Sequence, residues 1–489
     1  MKKSEKKFYI QETNSPMREN PYQEDREELK ELLLQYQNLK HGRSHSFLEE
    51  DAFERIIDYY DEKDDLNEAL EAAETGLEQF PFSALLMIKK ADLLLANRKY
   101  QEALNILETA ELFDSNDVNL YILKTDAYLA LDQQAKAVEL LEAALQLFTG
   151  EERLDLLFEL ADVYDDYEEF DKVFDCLKLI LEEEPNNEEA LYKICFWTDF
   201  TGRNEESIRL HQQIIDDFPY NELAWFNMAA AYQGLKLYEK SIDAYQYAVA
   251  IDEKFDYAYR NMGDAYLRLR KYKEAIEVLE KVLELSRPED VIYEAIGHCY
   301  HRMGNSAQAR FHYKKAVHLN PEDSKLHYKI AVTYMLEEQW QMAIKHLESA
   351  TRIHRNITEY NLAMGECRMH LEQFKEAIQY FSMVVRQKTK SVSGWESLIK
   401  CLLKAEFFDE ALVQTQAAMK ATENKPLFLF YQSSALFAMG KSKEALLKLE
   451  TAMEKSPKFL KKFIELNPSI LQNNHVVDIV ARYKKGKKI

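Results

Sequence analysis

Small residues recur in this chain at one fixed distance, and that spacing restricts the fold more than any other property. Ala69, Ala103, Ala137, Val173, Ser207, Ser241, Ala275, Ala309, Ala343, Ala377, Ala411 and Ala445 follow one another at intervals of 34 residues, with a single interval of 36 between Ala137 and Val173. A second series lies twelve positions earlier (Ile57, Ala91, Thr125, Ala161, Cys195, Ala229, Gly263, Gly297, Ala331, Gly365, Ile399 and Ser433), and a third begins seven positions later at Gly76. Periods of this length mark solenoids: each unit is too small to bury an apolar face alone, and stacking on its neighbours makes the core.

Within a period the apolar residues fit two helices. Counting positions from residues 50, 84, 118, 154 and onward, positions 4, 7, 8 and 11 form one stripe at helical spacing, and positions 20, 24 and 27 form a second. Small side chains at positions 8 and 20 let the two helices approach, and position 27 admits the next pair. Only 12 Gly and 10 Pro occur among 489 residues, so little interrupts these helices. The two extra residues near Thr149-Gly150-Glu151 are placed in a loop, with a slight break in the stack.

The motifs Trp225-Phe-Asn-Met-Ala-Ala-Ala-Tyr232 and Tyr259-Arg-Asn-Met-Gly-Asp-Ala-Tyr266 are the plainest copies, and Pro81, Pro185, Pro219, Pro321 and Pro457 close their periods, with Pro288 one place late. This pattern resembles the tetratricopeptide repeat (TPR), with twelve repeats over residues 50–457. The resemblance implies an all-α, right-handed superhelical solenoid of antiparallel helix pairs that binds peptides in a concave groove and carries no catalysis.

The ends read differently. Residues 1–23 are polar and aperiodic, the composition of a disordered segment. Residues 24–49 hold a stripe of Leu29, Leu32, Leu33, Tyr36 and Leu39, an added helix or cap. Residues 458–489 supply C-terminal capping helices and a basic tail from Lys484 to Lys488. No stretch of 18 apolar residues is present, so no membrane span is expected. The five cysteines form no CxxC pair and sit within helical patterns, which suits a reducing compartment and a cytoplasmic location.

The formal charge of −22 is unevenly spread. Residues 1–250 hold 25 Lys and Arg against 55 Asp and Glu, whereas the remainder holds 38 against 30. Such polarity steers oppositely charged partners to opposite ends, and the acidic half argues against nucleic acid.

In the family, first-helix positions 2, 5, 9 and 12 line the groove. Here they supply acids at Asp58, Asp92, Asp126, Asp162 and Asp264, Arg260, and an aromatic cluster of Phe158, Tyr192, Phe196, Phe226 and Tyr257. The expected ligand is a protein segment with Lys or Arg and one or two apolar anchors; the competing reading packs the aromatics against neighbouring helices or an intramolecular terminus. Position 9 carries acids where the carboxylate clamp of some co-chaperones needs donors, so that mode is disfavoured. Asn227 and Asn261, at position 6, are further candidates for bonding a ligand backbone.

Chemistry was sought beyond the groove. His298 and His301 flank Cys299, but spacing supplies no further ligand and zinc normally takes four. Gly440-Lys441-Ser442 lacks the first glycine and the preceding strand of a phosphate loop. No catalytic residue, cofactor or metal site is expected. The leading reading is a protein-binding scaffold or adaptor; the alternative is a chaperone-like holdase for many basic clients.

Overall fold

Every regular element of the computed structural model, which describes residues 21–41 and 47–485, is helical. The segment expected over 1–23 and the basic tail fall outside these residues, apart from the few that begin the first helix and end the last. The chain divides at Leu235/Lys236 into two units.

In the first unit, α1 (Pro21–Lys40) precedes five helix pairs. These are α2 (Glu50–Asp61) with α3 (Leu66–Gln79), α4 (Ala84–Ala96) with α5 (Tyr100–Glu111), and α6 (Val118–Ala130) with α7 (Gln134–Ala144). Then come α8 (Glu151–Asp166) with α9 (Phe170–Glu183) and α10 (Glu188–Thr201) with α11 (Asn204–Asp217), and α12 (Glu222–Gly234) closes the unit.

The second unit opens on α13 (Tyr238–Ile251). Its pairs are α14 (Asp256–Arg268) with α15 (Tyr272–Leu285), α16 (Asp290–Arg302) with α17 (Ser306–Leu319), and α18 (Ser324–Leu336) with α19 (Trp340–Ile353). They continue as α20 (Thr358–His370) with α21 (Phe374–Gln387), α22 (Val392–Lys404) with α23 (Phe408–Ala421), and α24 (Leu427–Ala438) with α25 (Ser442–Lys455). Two short helices, α26 (Leu460–Leu466) and α27 (Asn474–Lys485), finish it.

The backbone keeps the period by itself. One residue in each turn between paired helices takes a positive φ: Asp64, Arg98, Asp132, Glu168, Gly202, Lys236, Arg270, Gly304, Glu338, Glu372, Glu406 and Gly440. These too are 34 apart, with 36 at the same place. In most of these turns the next residue's N–H donates to a carbonyl five residues back, as Lys99 does to Leu94 at 2.8 Å and Asn305 to Tyr300 at 2.9 Å. Such left-handed closures end a helix without wasting its last carbonyls. Many first helices begin on a side-chain cap; Ser83, Asn187, Asn221 and Ser391 accept from backbone N–H groups three residues on.

The small residues act as their spacing predicts. A Cβ on Gly365 would lie 2.6 Å from the ring of Phe381, and one on Gly297 would lie 2.7 Å from that of Tyr313. Paired helices therefore touch at the backbone there, and the facing aromatic fills the space. First helices also pack on preceding first helices (α4 on α2, α6 on α4, α8 on α6) more closely than second helices do on second helices. That difference turns the open face of the first helices inward. Thr149 and Gly150 lie in the connection, and α8 starts directly after them.

The fifth pair departs from the pattern. Helix α12 packs on both α10 and α11, while α10 scarcely touches α11. Asn227 of α12 donates its amide to Leu191 O at 2.7 Å and lies 3.2 Å from His211 Nε2. One buried amide thus ties three helices together.

Candidate protein-binding surface

In the first unit the inner face is a ladder of charge. Asp58, Asp92, Asp126 and Asp162 occupy position 9 of successive first helices, and the position-6 residue of the following helix lies near Asp58, Asp126 and Asp162. At the two ends that residue is lysine. Lys89 Nζ lies 2.6 Å from Asp58 and 3.5 Å from Glu54, and Lys193 Nζ lies 3.6 Å from Asp162 and 2.9 Å from Glu189. In the middle the position holds Leu123, then Glu159 beside Asp126. No cation pairs with Asp92, Asp126 or Glu159 among the described residues.

The electrostatic consequence is carried by all three. Enclosure within the inner face pushes the Glu159 carboxyl up to about 7, helped by Asp126, Asp162 and Asp166. Loss of water raises Asp126, with Asp92 adding to it; Asp92 rises likewise, through Asp61 and Asp58, against the pull of Lys89. Like charges that cannot all ionise comfortably are stabilised by an incoming cation.

Next to this acidic stretch, α10 presents Tyr192, Phe196 and Phe200 at intervals of four, and they are 64%, 60% and 58% exposed. Tyr192 and Phe196 are thus left open, covered neither by neighbouring helices nor by a described terminus. Phe200 leans edge-on against Phe170 at 4.7 Å, and Trp197 stacks on Phe170 at 5.2 Å, so the stripe rests on a firm aromatic base. Phe158 is half-buried with Lys193 Nζ 5.0 Å above its ring, and Phe226 is half-buried on α12. Asn227 is withdrawn from any ligand, being 2% exposed and spent on Leu191 and His211.

Tyr257, Arg260 and Asp264 belong to α14, in the second unit. Tyr257 is exposed. Arg260 is held by both oxygens of Glu289, at 2.7 and 3.0 Å, and Arg268 Nε donates to Asp264 at 3.4 Å. Arg260 is thus a structural tie between α14 and the turn before α16.

The inner face at the end of the second unit is occupied by the chain itself. Helix α26 lies against α24, with Phe463 fully buried beside Phe430 at 5.9 Å between ring centres. Lys462 reaches Glu396 on α22, at position 5 of its helix, and Tyr431 donates to the same carboxylate at 2.9 Å.

Tandem helix pairs on a 34-residue beat, small residues at the crossings and left-handed closures at each turn are now established. Models of the tetratricopeptide repeat match residues 55–117, 220–287 and 257–321. This chain is a tetratricopeptide-repeat protein. No curated protein matches it by sequence. Among solved structures it is similar to YrrB, a TPR protein described as having an unusual peptide-binding site, at 16% identity and a TM-score of 0.35, covering 38% of this chain and 96% of that one. It is also similar to the Cut9–Hcn1 hetero-tetramer of the APC/C, at 15% identity and 0.35, covering 79% and 90%. A third is the C-terminal part of a TPR repeat-containing protein from Cytophaga hutchinsonii, at 15% identity and 0.43, covering 52% and 99%.

Cys299 and Gly440, which first suggest other chemistry, have structural roles in this TPR chain. Cys299 is fully buried in the core of the second unit, and enclosure pushes its thiol up to about 12. Among the described residues, no three His, Cys, Asp or Glu side chains gather as metal ligands would. Gly440 is the left-handed residue of the turn between α24 and α25, not part of a phosphate loop. Among the described residues, no helix is long and apolar enough to cross a membrane. Sequence reasoning missed Glu159, Lys89, Lys193 and Phe200. The four-residue spacing from Tyr192 and Phe196 was a sufficient signal for Phe200; the other three matter only through the helix opposite.

Proposed function

We propose that this protein is a non-enzymatic adaptor whose inner first-helix surface holds partner segments carrying basic and apolar residues. The observation that carries the reading is the chain's own segment around Lys462 and Phe463, a basic and an apolar side chain seated on that surface against Glu396 and Phe430. In the first unit the equivalent face offers unneutralised Asp92, Asp126 and Glu159 beside the open Tyr192–Phe196–Phe200 stripe, which is the complementary chemistry left unoccupied. Exposed aromatic anchors ringed by charge are where binding energy concentrates.

The test uses a labelled peptide copying residues 457–466 and the full chain. Fluorescence anisotropy should show binding that Tyr192→Ala with Phe196→Ala weakens by tenfold or more, about 1.4 kcal/mol or above, with the helical circular dichroism unchanged. Equal affinity for the double variant would sink the proposal. The same exposed aromatics favour a second reading, a holdase for many basic clients. A holdase would delay aggregation of unrelated proteins at substoichiometric amounts, whereas an adaptor would not.

A further inference from the structure

An open cleft of about 260 Å³ in the second unit has the opposite character to the acidic ladder. It is lined by His298, His301 and Arg302 from α16, Tyr313 from α17, and Tyr328, Lys329 and Val332 from α18. Four of these seven side chains carry or can take a positive charge, and no carboxylate lines the space. Glu294, one turn before His298, pairs with Lys329 from the side. Arg302 Nε donates to the Tyr272 hydroxyl at 3.2 Å, and its other N–H groups have no acceptor among the described residues. The Nδ1 of His301 is buried without a hydrogen-bond partner. Tyr313, Tyr328 and Val332 supply apolar walls.

We propose that this cleft binds a carboxylate side chain of an acidic protein segment, with Lys329 and Arg302 as ionic partners and the tyrosine and valine walls holding the aliphatic stem. Charge complementarity selects the ligand: a cationic cleft with one apolar side fits a carboxylate on a short hydrocarbon chain. The site belongs to the second unit and goes beyond the basic-segment reading. A carboxylate would compete with Glu294 for Lys329 and give the histidines a counter-charge. Enclosure and the nearby Arg302 and Lys329 hold His298 and His301 below their ordinary range. The groups facing them are Glu294, Arg302, Lys329, Tyr272, Tyr313 and Tyr328, so an arriving anion raises both rings and binding takes up protons. Affinity should then increase as the pH falls from 7.5 to 5.5.

The probes are labelled octapeptides alternating glutamate with leucine, and glutamine with leucine, titrated into the full chain by anisotropy. The glutamate peptide should bind about tenfold more tightly than its glutamine counterpart at pH 6, by the strength of charge-assisted bonds. Lys329→Gln should remove that advantage, Lys329→Arg should keep it, and Glu294→Gln should increase it. Lys325→Gln makes the same charge change on an exposed turn of α18 and should alter affinity less than twofold. The histidine Cε1–H resonances of His298 and His301 should titrate at higher pH with peptide bound. Equal binding of the two peptides, or equal losses from Lys325→Gln and Lys329→Gln, would overturn the proposal; the second result would assign the attraction to diffuse charge. Neither outcome touches Tyr192 or Glu159, so the first unit's surface is judged separately.

Discussion

Lys462 Nζ lies 2.7 and 2.9 Å from the two oxygens of Glu396, with 66 positions of sequence separating the two residues. The ion pair brings the segment after the last helix pair back onto α22. Burial alone would raise the Glu396 carboxyl, but hydrogen bonds from Lys462, Lys400 and Tyr431 outweigh it and hold the carboxyl below its ordinary range.

The anchor of this segment is apolar. Phe463→Ala removes a fully buried ring and should cost about 3 kcal/mol, confined to the C-terminal helices because solenoids unfold locally. Limited trypsin digestion should then cut at Lys461 or Lys462 while the rest of the chain resists. Lys462→Met should cost only about 1 kcal/mol, since Glu396 keeps Lys400 at 3.0 Å and Tyr431.

His211 makes the first unit sensitive to acid. It is fully buried and its ring is held down to about 4, mainly by loss of water. A histidine depressed on folding contributes stability above pH 6.5 that is lost as the pH falls toward 4. The slope is about 1.4 kcal/mol per pH unit. From pH 7.5 to 5.5 the wild type should therefore lose about that much unfolding free energy relative to His211→Leu, read from denaturant titrations of both; the comparison cancels the opposite contribution of Glu159.

Glu159 separates stability from binding. Its carboxyl is raised, so the folded state holds the proton more tightly and loses stability as the pH rises from 4.5 through 7. Glu159→Gln should therefore stabilise the chain at pH 8 by about 1 kcal/mol, a figure reduced for the side chain's partial exposure. The same change should weaken the basic peptide about fivefold by removing one ionic partner. Thermal melts and anisotropy on one sample distinguish these opposite signs.

The left-handed turn residues offer a paired test. Glu372→Gly relieves a positive φ at an exposed site and should add about 0.5–1 kcal/mol. Gly304→Ala, where a new Cβ meets nothing within 4 Å, should cost about 1 kcal/mol from backbone strain alone. Chemical denaturation of both variants checks the two signs.

The period and its small residues were legible because helix spacing decides them locally. Gly365 against Phe381 and the exposed Tyr192 and Phe196 sit where the counting puts them. Asn227 was not legible: it shares position 6 with Lys89 and Lys193, and only the wedging of α12 between α10 and α11 buries it. Arg260 likewise read as a groove residue, yet its partner Glu289 lies 29 positions away on another element. The meaning of Glu159 depends on its register against Asp126, which no single helix encodes.

The twelve positive-φ residues also determine where this chain can change length. Each fixes the start of a second helix, so losing one residue inside a helix would rotate everything up to the next turn by about 100°. Buried and open positions would exchange. The two additional residues between Asp132 and Glu168 avoid this because α7 ends at Ala144 and the connection to α8 absorbs them. The smallest piece that can be gained or lost without penalty is thus a whole helix pair, or a few residues of the link between pairs.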